Sequence, residues 1–166
     1  MRPHRRFAPN RGSHLPALMK LVSMTTGPIL EMGCGLYSTT PLHWACYTSK
    51  RRLVTYENNS DFTQFLMAYE SSSHETHIID DWDSIDLSEQ WSIAFLDHAP
   101  GPRRGIDAMR LSHVDYLVIH DSENSQARAY GLNKVYRNFK YRYKYNDAYP
   151  HTSIWSNKHD VRGFKV

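Results

Sequence analysis

Acidic residues that end predicted strands are the residues of this sequence best placed to do chemistry. Glu31 precedes the glycine pair Gly33 and Gly35, and Asp97 ends the most apolar run of the chain. A glycine loop between a strand and a helix usually holds a phosphate, but nearby carboxylates would repel one. The sequence therefore predicts a nucleoside ligand with a positive centre and no pyrophosphate. The weaker alternative is that the glycines only make a tight turn.

Two further acidic segments follow the next predicted strands. Glu57 lies 22 residues after Gly35 (57 − 35), and an acid at about this distance accepts hydrogen bonds from ribose in nucleotide-binding sheets. We expect this role for Glu57 rather than that of a solvated strand end. Asp81 and Trp82 come after the third strand. They are predicted to meet an adenine ring, or equally to form a solvated acidic turn.

An alternation of strands and helices must bring these acids together. Such an alternation indicates right-handed strand–helix–strand units and a parallel sheet, whose ligands bind at the carboxyl ends of the strands. The last two strands are predicted to pair antiparallel, and segment 81–90 is too short for a full crossover helix. The predicted strands cover residues 28–32, 51–57, 76–80, 91–97, 114–121, 140–146 and 152–157, and the predicted helices cover 14–25, 38–48, 60–71, 103–113 and 125–139.

Composition limits the class of protein. The 166 residues fit one domain, 1–166, with residues 1–13 as an irregular basic arm. A net charge of +3 is too small for a dedicated nucleic-acid binder. Two cysteines, no apolar run of membrane-spanning length and no signal-peptide pattern predict a cytoplasmic protein without a membrane partner.

Three ordered segments carry a resemblance to a known family. ILEMGCGLYST, LVTYEN and AFLDHAPGPRR resemble class I S-adenosylmethionine-dependent methyltransferases, and FLDH is similar to the catechol O-methyltransferase type. The resemblance implies an α/β, Rossmann-like sandwich: a seven-stranded mixed sheet of five parallel strands and a C-terminal antiparallel pair, with helices on both faces. It also implies S-adenosyl-L-methionine as cofactor. The cofactor-binding residues it implies are Glu31, Gly33, Cys34, Gly35, Tyr37, Ser38, Glu57, Asn58, Asp81, Trp82 and Asp97.

The same resemblance implies catalytic residues after the fourth and fifth strands. Asp97 and Asp121 match two acids that hold Mg²⁺ in catechol-type enzymes, so we expect them to be catalytic and to be the ligands of any such ion. Ser122 stands where those enzymes have asparagine, and Pro100 where they have a catalytic lysine, which weakens the expectation of Mg²⁺. The general base is then predicted to be His98, with His120 as the alternative.

Residues on the acceptor side are predicted from charge and position. Arg103 and Arg104 follow a flexible segment and could clamp an anionic acceptor, or could start a solvated helix. His14, at the start of the first helix, is expected to contact the cofactor or the acceptor. Almost no chain remains for a substrate lid, so we expect the acceptor either in an open groove or in a pocket that a second copy of the chain completes. Trp82 and Trp91 could support such a contact.

Three functions remain open on the sequence. The first is methyl transfer to a small molecule, favoured on oxygen. The second is methyl transfer to RNA or protein, although the D/N-P-P-Y/F motif of base amino-methylation is absent. The third is binding of the cofactor without catalysis. Tyrosines interleaved with basic residues at 141–145 could stack on nucleic acid, but the same alternation is typical of a half-buried strand, which we favour.

Overall fold

The computed structural model describes residues 9–166, and its centre is one mixed sheet. The strands are β1 Ile29–Met32, β2 Leu53–Glu57, β3 His74–Ile78, β4 Ile93–Leu96, β5 Tyr116–Ile119, β6 Tyr141–Tyr145 and β7 Thr152–Ser156. Their order in the sheet is β3-β2-β1-β4-β5-β7-β6. The first five run parallel, and β7 pairs antiparallel with both β5 and β6. The predicted seven-stranded mixed sheet is confirmed.

Helices cover both faces of the sheet, as predicted. They are α1 Leu15–Met24, α2 Thr39–Ser49, α3 Thr63–Met67, α4 Arg103–Arg110, α5 Asn124–Ala129 and α6 Leu132–Val135. Leu18 of α1 and Leu42 of α2 pack with Phe95 in one apolar core. Ala108 of α4 and Leu132 of α6 pack in a second core on the other side. Side chains alternate across a strand, so β1 sends Leu30 and Met32 to the second core and Ile29 to the first.

Several helices are shorter than predicted because local chemistry interrupts them. The predicted helix 125–139 breaks at Gly131, whose φ of +71° is left-handed, and continues as α6 and a 3-10 turn at Tyr136–Asn138. The predicted helix 60–71 is a 3-10 turn, Ser60–Phe62, followed by the short α3. The other boundaries shift by one to three residues, within the usual fraying of element ends.

The connection between β3 and β4 has no full crossover helix, as predicted, and contains one 3-10 turn, Trp82–Ser84. Its apolar residues nevertheless fill the second core: Trp82 is 4% exposed and Trp91 is 2% exposed. The prediction that these two tryptophans support a dimer contact is wrong, because neither offers a ring to the surface.

The arm predicted over residues 1–13 is only partly within the described residues, since 1–8 lie outside them. Pro9–Gly12 form a 3-10 turn rather than irregular chain. At the other end of the chain, Arg142 and Lys144 of β6 are exposed while Tyr145 is buried. The alternation in β6 is thus that of a half-buried strand, as favoured. Among residues 9–166 no helix is long and apolar enough to cross a membrane.

Candidate functional site

The carboxyl ends of β1 and β4 form the point where the strand order reverses, which is where α/β sheets bind ligands. At this point Gly33 passes directly against the chain after β4. A Cβ on Gly33 would lie 2.6 Å from both the backbone N and the Cα of His98, and Gly33 has a φ of +90°. Only glycine satisfies both conditions, so this residue lets the two loops touch.

The loop between β1 and α2 is held by three different acceptors. The amides of Gly33, Cys34 and Gly35 donate to the Tyr56 carbonyl at 2.8 Å, to Glu57 Oε2 at 2.8 Å and to Thr39 Oγ1 at 2.9 Å. A Cβ on Gly35 would meet only Ser38 Oγ, at 3.9 Å. Unlike Gly33, Gly35 therefore borders open space, which suits a residue over which a ligand passes.

Glu31 does not stand at the mouth of the loop, as the sequence suggested. Its side chain is fully buried, and Oε2 accepts from Thr39 Oγ1 at 2.9 Å and from Thr55 Oγ1 at 2.7 Å. Since Thr39 also holds the Gly35 amide, Glu31 positions the loop from below. Burial raises its pKa to about 7, against the opposing bonds from Ser38, Thr55 and Thr39.

The Glu31 carboxylate is the inner end of a buried polar chain. Thr55 Oγ1 donates its one hydrogen bond to Glu31. His74 Nε2, which lies 2.7 Å from Thr55 Oγ1, must therefore donate to that oxygen. His74 Nδ1 is then the acceptor facing His43 Nδ1 at 3.2 Å. Burial and the neighbouring His43 lower the pKa of His74 to about 4, in agreement with this neutral state.

The raised pKa of Glu31 makes a prediction about stability. A carboxyl that binds its proton more tightly when folded stabilises the protein most at low pH, and this contribution is lost as pH rises from about 4.5 to about 7. Over that window the free energy of unfolding of the wild type, relative to Glu31→Gln, should fall by about 3 kcal/mol. Urea unfolding of both proteins at several pH values measures this difference. A constant difference between them would contradict the prediction.

Glu57 lies at the end of β2, almost buried at 6% exposure. Besides the Cys34 amide, it accepts from the amides of Asn58 at 2.9 Å and Asn59 at 2.7 Å. Asn58 Oδ1 is buried and has no partner among residues 9–166. Burial raises the pKa of the half-buried Cys34 thiol, with the charges of Glu57 and Glu31 adding to the effect, so Cys34 is a protonated thiol at neutral pH.

The other residues predicted to bind the cofactor surround this loop with different exposures. Ser38 is buried and precedes α2, and the ring of Tyr37 lies against Gly12. Asp81 is exposed and caps the following turn by accepting from the Asp83 amide at 3.0 Å. Trp82 instead lies in the core and donates from Nε1 to the Ala99 carbonyl at 2.8 Å, so its ring offers little free face for stacking.

Asp97 and His120 form an ion pair at the ends of β4 and β5. Ser13 Oγ donates to the Pro150 carbonyl at 2.6 Å, so it must accept from His120 Nε2 at 3.0 Å. His120 Nδ1 lies 3.2 Å from Asp97 Oδ2, and a proton is needed there too, which makes the ring an imidazolium. Burial opposes both charges, but their mutual bond outweighs it: the pKa of Asp97 is lowered and that of His120 raised.

Arg104 is buried between the loops that follow β4 and β5 and holds them together. It therefore neither clamps an anionic acceptor nor starts a solvated helix, the two roles considered from the sequence. It is 6% exposed and donates to the carbonyls of His98, His120 and Asp97 at 2.9, 3.1 and 2.9 Å. It also pairs with Asp97 Oδ1 at 2.9 Å and Asp121 Oδ2 at 3.0 Å. These five contacts match the five N–H donors of a guanidinium, so none remains for an anionic acceptor.

The same Arg104 contacts change the prediction of Mg²⁺ between Asp97 and Asp121. Each carboxylate turns one oxygen to the Arg104 guanidinium, which already supplies the positive charge between them. Ser122, where an asparagine ligand was expected, bonds instead to the His151 carbonyl and to Ser153 at 3.2 and 2.9 Å. The donor set for a hard, oxygen-ligated ion is therefore not assembled here.

His98 is not placed as a general base in this structure. Its ring is buried, and Nε2 lies 3.0 Å from Asp107 Oδ2. Burial lowers its pKa despite the nearby Asp107 charge, so His98 is neutral and donates to that carboxylate. Its Nδ1 is buried and unpaired among the described residues, and the Trp82 ring packs on it with centroids 4.4 Å apart.

Asp107 is a residue that the sequence interpretation missed. Its fully buried carboxylate pairs with His98, with Arg103 at 2.9 Å and with Arg110 at 2.9 Å. Arg103 is thereby part of this cluster, and its contact with Asp83 at 2.6 Å takes a further donor. The i,i+4 spacing of Arg103 and Asp107 on a predicted helix was the available signal.

Unpaired buried groups concentrate at this edge of the sheet. Among residues 9–166, eight buried side-chain polar atoms have no hydrogen-bond partner, and five of them are the two ring nitrogens of His14, Glu31 Oε1, Asn58 Oδ1 and His98 Nδ1. Buried polar atoms in native proteins are nearly always satisfied. The surplus here indicates a polar ligand or ordered water at the predicted crevice.

Comparison with known proteins identifies solved structures with a similar fold. No family model and no curated protein matches the chain. Among solved structures, it is similar to cofactor-bound Rv0187 from MTB (14% identity, 95% of this chain and 84% of that one, TM-score 0.64). It is also similar to the O-methyltransferase from Bacillus cereus in complex with SAH (16% identity, 92% of this chain and 83% of that one, TM-score 0.62). A third similar structure is the methyltransferase from Pyrococcus furiosus (12% identity, 87% of this chain and 83% of that one, TM-score 0.55). At these identities the likeness shows a Rossmann-like methyltransferase fold.

Proposed function

We propose that this chain is a single-domain S-adenosylmethionine-dependent methyltransferase that methylates a small molecule on oxygen. The observation that carries the proposal is the pairing of an open glycine, Gly35, with an ionised and partly exposed carboxylate, Asp97, at one switch point. The Asp97 side chain is 27% exposed, whereas Glu31, His98, Arg104 and His120 beside it are buried. This arrangement suits a cationic nucleoside and disfavours a pyrophosphate.

Asp97, rather than Glu31, would supply the negative charge that favours a cationic cofactor. Glu31 is buried and has a pKa near 7, so it is only partly ionised at neutral pH. The lowered pKa of Asp97 keeps its charge, and Asp97 would face the cationic part of the cofactor. Glu57 would accept hydrogen bonds from the ribose hydroxyls, and the exposed Asp81 would accept one from the adenine amino group. The backbone of Gly33, Cys34 and Gly35 would pass beneath the cofactor.

The chemical demand on the protein is modest. When bound, S-adenosylmethionine supplies a methyl group that its sulfonium has already activated. The chain has to align an acceptor oxygen and exclude water, and Arg104 contributes by fixing both acidic loops rigidly. Because His98 is buried against Asp107, it is not placed to act as the general base.

Oxygen and a small acceptor are the choices that the residues support best. The D/N-P-P-Y/F motif is replaced by DHAP at 97–100. The basic residues of β6 lie on an edge strand, three strands away from β4, the strand that Asp97 follows. The Bacillus cereus protein of similar fold is an O-methyltransferase. These observations favour a small hydroxylated acceptor over nucleic acid.

Calorimetry tests the cofactor. We expect S-adenosylmethionine and its demethylated product to bind the full chain, and Glu57→Gln to weaken both by about 10- to 100-fold, because a hydrogen bond to a charged group contributes about 1.5–3 kcal/mol. Glu75→Gln is the matched control, since Glu75 lies on the neighbouring strand, exposed and paired with Arg52. Failure of the wild type to bind either ligand would end the proposal. Equal affinities of Glu57→Gln and the wild type would remove Glu57 from the site.

A further inference from the structure

We propose that His14, Asp97 and His120 form a binding site for a divalent ion of the zinc and iron class. Each of the three residues offers one ligand atom, and these atoms lie within 4.8 Å of one another. They come from three separate parts of the fold: the residue before α1, the loop after β4 and the loop after β5. Two imidazoles and one carboxylate are the donors that this class of ion prefers.

His14 is the residue that most needs a partner. It is 1% exposed, and neither ring nitrogen has a hydrogen-bond partner within the part of the chain that the structure describes. Its ring lies edge-on to His120, with centroids 4.5 Å apart. Burial and the charge of His120 lower its pKa to about 4, while the Tyr37 backbone favours protonation. His14 is therefore a neutral imidazole with a lone pair turned to the cluster, which is the form that binds metal.

His120 already has the outer contacts of a metal ligand. Histidines that bind metal usually donate their second ring N–H to a fixed oxygen. His120 Nε2 donates to Ser13 Oγ, which is fixed in turn by its bond to the Pro150 carbonyl. This fixes the ring and leaves Nδ1 facing Asp97 Oδ2 at 3.2 Å. That separation is close to the ~3.4 Å expected between two tetrahedral ligands of one ion.

Asp97 is oriented by an outer contact as well. Its Oδ1 is held by Arg104 at 2.9 Å, so Oδ2 is the oxygen available to an ion beside His120. Without metal, the second proton of His120 balances this carboxylate. Binding of a divalent ion would displace that proton, so the net charge of the buried cluster would rise by one rather than by two.

The site differs from the Mg²⁺ site predicted from the sequence in both ligands and class of ion. It uses Asp97 but not Asp121, whose Oδ2 faces Arg104. Nitrogen donors favour Zn²⁺, Fe²⁺ and Co²⁺, whereas Mg²⁺ requires oxygen. Three protein ligands leave coordination positions open, as in metal sites that bind a substrate. Asp97 is the most exposed of the three, so a ligand would reach the ion from its side.

Direct titration with Co²⁺ and Zn²⁺ tests the inference on the full chain without cofactor. We expect one equivalent of Co²⁺ to give visible absorption, one equivalent of Zn²⁺ to displace it and an equal concentration of Mg²⁺ to leave it unchanged. His14→Asn and His120→Asn should each weaken binding at least 10-fold. His77→Asn and His159→Asn, which replace exposed histidines, should bind like the wild type.

Thermal unfolding without metal separates loss of ligation from loss of fold. His14→Asn should lower the melting temperature modestly, because a smaller amide replaces a buried ring that packs on Phe95 with centroids 4.8 Å apart. Titrated well below its own melting temperature, this variant decides the question if His120→Asn unfolds. Unchanged Co²⁺ affinity in a folded His14→Asn protein, or equal weakening in the surface variants, would overturn the site. The two proposals share Asp97, so the calorimetry with S-adenosylmethionine is done without added metal. Failure there ends the methyltransferase proposal, whereas failure of the wild type to bind Co²⁺ ends only the metal site.

Discussion

Replacing Arg104 with methionine is expected to lower the free energy of unfolding by about 3–5 kcal/mol. The side chain is buried, and its guanidinium makes contacts with three carbonyls and two carboxylates. Methionine keeps the apolar stem but removes the guanidinium between Asp97 and Asp121, so the charge of His120 has to balance both carboxylates. For a domain of this size, the loss corresponds to a decrease of roughly 6–20 °C in melting temperature.

Two further substitutions make the Arg104 experiment specific. Arg104→Lys keeps the positive charge but cannot reach five acceptors from one ammonium, so its stability should fall between those of the wild type and Arg104→Met. Arg162→Gln removes an exposed pair with Asp160, whose side chains are 70% and 47% exposed, and should leave the free energy of unfolding nearly unchanged. If Arg104→Met unfolds no more easily than Arg162→Gln, the Arg104 contacts do not stabilise the fold.

Replacing Gly33 with alanine should have a comparably large effect, whereas Gly35→Ala should not. At Gly33 the new Cβ would overlap the His98 backbone at 2.6 Å, and the φ of +90° would be strained. The left-handed conformation costs roughly 1–2 kcal/mol, and overpacking costs roughly 1–3 kcal/mol more. Because β1 and β4 would separate at the switch point, Gly33→Ala should also lose cofactor binding.

Gly35→Ala is the matched control, because it lies two residues away in the same loop. The nearest atom to its Cβ would be Ser38 Oγ, at 3.9 Å, so urea unfolding should show a loss below about 1 kcal/mol. If the cofactor passes over Gly35, calorimetry should show an affinity at least 10-fold lower in this folded variant. Equal stability of the two alanine variants would contradict the close approach of Gly33 to His98.

The sequence alone was sufficient to predict the sheet and the edge of it at which the acidic residues of the candidate site lie. Apolar runs that each end in an acid, separated by helical patterns, determine parallel strands whose carboxyl ends meet at one edge. Glu57 and Asp97 were expected at that edge and lie there. The lack of a full crossover helix between β3 and β4 was also predicted, from the shortness of segment 81–90.

The depth and the partners of each side chain were decided only by the tertiary structure. Strand periodicity did not tell whether Glu31 would face a ligand or α2, and the fold buries it beneath Thr39. Arg104, Asp107 and His98 are charged or polar residues that composition assigns to the surface, but packing of α4 on the sheet brings them inside as pairs.

The grouping of His14 with Asp97 and His120 was also beyond the sequence. His14 and His120 are separated by 106 residues (120 − 14), and nothing local links them. They meet because α1 packs over the ends of β4 and β5, where burial removes water from both rings. Local patterns determine which elements form and which ends of them are acidic. Contacts between distant elements determine which of those groups are buried, charged or left without a partner, and these states set the chemistry of the site.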